Sequence, residues 1–200
     1  MTMNVIEAME TCTAMRYLKE DPVPREVIMK LLHAATRASN PGNSQGWEFV
    51  VVEDAVAKAE IGAAVLQGMG PAFANRPTGM DGVQARMYQG AEHLATNFAK
   101  VPVWIVGCGR KVYPPHAPTD VFMYSTIYPA AQNLIVAARS LGIGTCFTTF
   151  HHVAGDTLRR VCRIPDDVHP SVMIAVGYPE RKFMPVRRKP LESVVHWNTF

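Results

Sequence analysis

The stretch Ala130-Ala131-Gln132-Asn133-Leu134-Ile135-Val136-Ala137-Ala138 limits most tightly what this chain can fold into. It sits inside a segment from about Val121 to Leu141 that reads as one long helix, with Gly142 as its stop. A helix that is apolar on almost every side is buried on most sides, so other elements must pack around it. Strands are available for that role. Trp47 to Val52, with Phe49-Val50-Val51-Val52 at its centre, and Val101 to Gly107 (VPVWIVG) have the length and β-branched content of buried strands. Val172 to Tyr178 (VMIAVGY) is a third, and a short strand is expected around Thr145 to Phe147. With 48% hydrophobic and 18% charged residues in 200, the chain holds enough apolar material for one core, which excludes a wholly disordered tail or linker.

Further helices are expected between the strands. Val5, Ile6, Met9 and Cys12 recur at helical spacing from Asn4 to Met15, with Asn4 as the cap. The prolines of Asp21-Pro22-Val23-Pro24 stop that pattern, and Pro24 suits the first turn of a second helix running to about Arg37. Ser39-Asn40-Pro41-Gly42-Asn43-Ser44 is a dense set of turn formers and reads as a loop. Ala55–Leu66, Val83–Phe98 and Gly155–Arg163 read as helices, and Gly68–Gly82 as a Gly/Pro-rich loop. No linker divides residues 1–200, so one domain is expected, with 180–200 as a basic, proline-interrupted C-terminal arm. That arm ends in Val194-Val195-His196-Trp197, too apolar to stand in water without a partner.

Composition removes several function classes. The net charge is only +3, from 20 Lys plus Arg against 17 Asp plus Glu, well short of the basic footprint of a nucleic-acid binder. Glu, Asn or Lys interrupts every apolar run near the N-terminus, so neither a signal-peptide core nor a membrane span is legible, and a cytoplasmic protein is expected. Cys12, Cys108, Cys146 and Cys162 lie far apart with no CxxC pair and read as buried thiols. Gly142-Ile143-Gly144 lacks the third glycine of a dinucleotide fingerprint and follows a helix. There is no P-loop, GxSxG elbow or HExxH. Adjacent His151 and His152 point apart on any regular element and read as surface histidines, so no metal site is expected; Asp166-Asp167 reads as turn chemistry. No catalytic nucleophile or general base stands out, which fits chemistry carried by a cofactor.

Three segments suit cofactor binding. Arg16, in Thr13-Ala14-Met15-Arg16-Tyr17, is placed at a helix end where a guanidinium can pair with a phosphate bidentately. Asn43 and Gln45, in Asn43-Ser44-Gln45-Gly46-Trp47, stand at the mouth of a strand, where amides can satisfy a heterocycle. Gly142-Ile143-Gly144-Thr145 permits close backbone approach, and Arg187-Arg188-Lys189-Pro190 is a cationic cluster distant in sequence.

In this order, the segments resemble the FMN-dependent nitroreductase family over nearly the whole chain. Asp21-Pro22-Val23-Pro24 and Asn43-Ser44-Gln45-Gly46-Trp47-Glu48-Phe49-Val50-Val51 look like its first half. Ala130 to Leu134, Leu141 to Thr145, Ile174 to Pro179 and Arg188-Lys189-Pro190-Leu191 look like its second. The resemblance implies an α+β fold, a mixed central β-sheet surrounded by helices, and a homodimer whose C-terminal arms wrap the partner subunit around two interfacial FMN sites. It also implies two-step chemistry, in which NADPH or NADH reduces the flavin and a nitroaromatic, quinone or related small-molecule acceptor reoxidises it. Arg16 and Arg188 would hold the phosphate, with Arg187 or Lys189 as helpers. Asn43 and Gln45 would contact the ribityl chain or ring edge, and the backbone around Thr148 and Thr149 the reactive nitrogen. Where the family usually carries a further arginine before Arg16, this chain has Cys12, Thr13 and Ala14, and Thr148-Thr149-Phe150 lacks a glycine often found there. Other outcomes stay open on the same fold: a flavin carrier or sensor without turnover, dehalogenation, enoyl reduction or flavin fragmentation.

Overall fold

A computed structural model describes residues 3–200. Among the described residues, six α-helices and four strands follow one another as α1 (Val5–Thr11), α2 (Arg25–Ala35), β1 (Trp47–Val52), α3 (Ala55–Ala74), α4 (Gly82–Thr96), β2 (Val103–Gly109), α5 (Asp120–Ser140), β3 (Gly144–Thr148), α6 (Gly155–Cys162) and β4 (His169–Gly177). The sheet order is β1-β2-β4-β3. Because side chains alternate along a strand, its two faces meet different helices. Trp104, Val106, Met173 and Ala175 pack with Ile61 and Val65 of α3, Leu94 of α4 and Leu158 of α6. Val103, Ile105, Val172, Ile174 and Val176 pack with Ile28 and Leu31 of α2 and with Ile127, Ala131 and Leu134 of α5. Helix α5 is thus held between the sheet and α2, as its apolar circumference requires.

The α+β class holds, but every pairing in the sheet is antiparallel rather than mixed. The connections explain this. Two helices, α3 and α4, join β1 to β2 and bring the chain back to the end of the sheet it left, so β2 runs against β1. A single helix, α5, joins β2 to β3, and these two strands do run the same way; β4 lies between them and pairs antiparallel with both.

Two helix boundaries differ from the sequence reading. Asn4 caps α1 as expected, its Oδ1 accepting from the Ile6 amide at 2.9 Å, but the helix stops at Thr11 rather than Met15. Beyond it the chain becomes an extended strap. The Met15 amide donates to the Thr145 carbonyl and the Lys19 amide to that of Tyr178, both at 2.8 Å, and these tertiary bonds replace further helical ones. Arg16 therefore sits in the strap and not at a helix end. Helix α3 in turn runs through Pro71 to Ala74, absorbing the first part of the expected 68–82 loop, because Phe73 is buried against the core. The strand bounds fall within two residues of those expected, except that β4 starts at His169, three residues before Val172.

Candidate functional site

The strap, the start of α4 and the C-terminal arm enclose a cavity of about 440 Å³. Arg16, Arg86, Arg181 and Arg188 line it, with Thr13, Ala14 and Tyr17 of the strap beside them. The strap places Arg16 through its backbone bonds to β3 and β4, and α4 makes room for it. A Cβ at Gly90 would come within 2.8 Å of Arg16 Cδ, so the glycine gives the arginine stem a bed on the helix. The Arg181 guanidinium lies 3.8 Å above the Tyr17 ring centroid, and Tyr17 stacks at 4.1 Å on His93. Arg188 donates through Nη1 to the Arg187 carbonyl at 2.9 Å. Among the described residues no carboxylate forms an ion pair with any of the four arginines. Four unpaired guanidiniums in one concavity suit a phosphate group, which guanidinium forks match in shape and charge.

A second cavity, of about 350 Å³, adjoins the first, since Arg16 and Met87 line both. Its walls are Met69 and Phe73 of α3, Met87, Tyr88 and Ala91 of α4, and Cys146 to Phe150 at the end of β3. Thr148 and Thr149 both line it. The Thr148 hydroxyl donates to the Met173 carbonyl at 2.9 Å, which fixes the strand end. Burial pushes the Cys146 thiol up to about 11 against the opposing pull of Arg16, so it is a protonated wall group rather than a nucleophile. An apolar cavity beside a cationic one offers room for a ring system next to a place for an anionic group.

The other sequence-singled residues lie elsewhere. Asn43 and Gln45, both at positive φ (49° and 50°), form the turn into β1, where the Gln45 amide donates to Asn40 Oδ1 at 2.8 Å. They line neither cavity, and β1 is the sheet edge opposite β3. Arg187 and Lys189 are exposed neighbours of Arg188 that do not line the arginine cavity. Sequence reasoning missed Arg86, Arg181 and Gly90. For α4 a signal existed: Val83, Arg86, Met87 and Gly90 share one helical face, on which a glycine near an arginine marks a close approach. His151 also differs from the reading given above. It is buried, with Nδ1 unpartnered, and burial with His152 alongside lowers its pKa to about 4.

The model of the nitroreductase family matches residues 11–178. The chain belongs to the nitroreductase family. A curated member, the FMN reductase (NADPH) of Bacillus subtilis, is 28% identical over 199 residues, covering 98% of this chain and 74% of its own. The NADH dehydrogenase of Thermus thermophilus is 24% identical, covering 92% of this chain and 91% of its own. Among solved structures, an iodotyrosine deiodinase bound to FMN and 3-iodo-L-tyrosine superposes with a TM-score of 0.78 at 21% identity, covering 98% of this chain and 100% of that one. The NfrA1 nitroreductase of Bacillus subtilis gives 0.75 at 23%, covering 98% and 74%. At these identities the two structures share this chain's fold. No described helix of this family member is long and apolar enough to cross a membrane.

Proposed function

We propose that this chain is an FMN-dependent NAD(P)H oxidoreductase that passes electrons to a small aromatic acceptor, a nitroaromatic or quinone. The observation that carries the reading is the joining of the arginine cavity to the apolar one through Arg16. Arg16 and Arg188 hold the phosphate, with Arg187 and Lys189 adding positive charge along the arm. Thr148 and Thr149, at the end of β3, bring backbone against the ring. Met69, Phe73 and Phe150 exclude water from the cavity, and Tyr88 on α4 offers the acceptor an aromatic wall. The chemistry a bound flavin supplies is reversible two-electron transfer from NADH or NADPH to the acceptor.

The same reading makes the working unit a homodimer. Val5, Ile6 and Met9 of α1 are half exposed, so the stripe that marks this helix in the sequence faces outward. In the arm, Leu191 and Trp197 are 69% and 85% exposed, whereas Phe183 is tied down under Arg139 at 4.1 Å. A second copy is the cover these surfaces fit. Asn43 and Gln45, at the far sheet edge, then contact the ribityl chain or ring edge in the neighbouring copy's site.

Anaerobic addition of NADPH or NADH to the flavin-loaded protein tests the function. The visible absorbance should bleach, and a nitroaromatic or quinone should restore it. Colour that neither donor bleaches would make the protein a flavin carrier or sensor. Recovery with a halogenated phenol alone would assign it to dehalogenation.

A further inference from the structure

Arg86 stands out among the residues facing the arginine cavity. It leaves the first turns of α4, where Asp81 caps the helix through bonds of 2.8 Å to the Val83 and Gln84 amides. The carboxylate at this helix end, Asp81, is engaged in capping the helix and forms no ion pair with Arg86. The Arg86 guanidinium is folded close to the helix, with Nη1 only 3.3 Å from where a Cβ on Gly82 would sit. Among the described residues it has no carboxylate partner and no hydrogen-bond acceptor. Thr13 and Ala14, which line the same cavity, bring no charge to it. An anionic group held by Arg16 would relieve the uncompensated charge on Arg86. One helical step further, Met87 and Tyr88 wall the apolar cavity, so whatever fixes Arg86 also fixes that wall.

We propose that Arg86 is a phosphate-binding residue of this site, a further guanidinium beside those of Arg16 and Arg188 in the cavity that Thr13 and Ala14 also line, through which the bound cofactor pins α4 over the acceptor cavity. The inference rests on the FMN reading above. It makes the flavin's phosphate, remote from the reacting ring, an organiser of the acceptor site.

The test titrates flavin-free protein with FMN and with riboflavin, which lacks the phosphate, following quenching of flavin fluorescence. Arg86→Gln should weaken FMN binding by about tenfold, the scale of one charge-assisted bond, and change riboflavin binding by less than about twofold. Amide exchange over residues 82–90 should slow on adding FMN to the wild type and not on adding it to the variant. An FMN affinity within about twofold of wild type overturns the proposal, as does an equal loss for both flavins, which would mark a structural role. A change confined to the KM for NADPH also overturns it and gives Arg86 to the dinucleotide. Equal slowing of exchange in both proteins removes the pinning of α4. A wild type that binds neither flavin defeats the FMN reading itself, a result distinct from all of these.

Discussion

Arg16 is the residue on which both cavities turn, since its stem lies on Gly90 and its side chain lines the cationic and the apolar space alike. Arg16→Ala should weaken FMN binding by about 2–3 kcal/mol, the upper range for a charge-assisted bond. Fluorescence titration of the flavin-free protein measures it, and an affinity within twofold of wild type would put the phosphate elsewhere. His151 carries a pH dependence whose sign follows from burial. Its folded pKa, about 4, is below the ordinary 6.5, so the unfolded chain takes up a proton first as pH falls. The stability from keeping this ring neutral is complete above pH 6.5 and is lost between there and about 4, at most about 3 kcal/mol. Urea unfolding should therefore show a shallower loss over that interval in His151→Gln than in wild type; identical slopes would contradict it. Arg16 and Arg188, which the sequence singles out, Arg188 only through the family resemblance, both line the arginine cavity. Arg86 and Arg181 are not legible in the sequence, because a lone arginine on a helix or in a tail looks like any solvated charge until the fold brings it to a cavity.

Among the elements, strands are the most legible, since β2 and most of β4 are apolar runs buried on both faces. Helix ends are less so. Nothing local in Thr11-Cys12-Thr13 requires α1 to stop; the carbonyls of Thr145 and Tyr178, far along the chain, draw the strap out of helical geometry. Pro71 argues locally against a helix, yet burial of Phe73 keeps α3 continuous across it. Helix α4 is different, since its start is written in the sequence. Asp81 and Gln84 form a reciprocal capping box there, and Asp81→Ala should cost about 1 kcal/mol of stability. Thermal unfolding measures that cost. The same change should loosen FMN binding, because Arg86 and Gly90 lie within the helix it caps. An undiminished melting temperature would show that tertiary packing alone sets the start of α4.

At the scale of the molecule, a sheet clad on both faces follows from the all-round apolar character of α5, and the structure has that form. Strand direction does not follow, because insertion of β4 between β2 and β3 is a property of topology that no single segment encodes. The distance of Asn43 and Gln45 from the cavities is likewise invisible in sequence, where they sit among the residues that look most like a flavin site. It makes sense if two copies complete one another's sites, the apolar arm and the outward face of α1 being covered in the process. Light scattering of FMN-loaded protein, with flavin absorbance recorded across the same chromatographic peak, tests this account most directly. The account predicts one peak of twice 22.1 kDa carrying one FMN per chain, identified by chromatography of the heat-released flavin. A 22.1 kDa species, or a peak that stays colourless at saturating FMN, would contradict it.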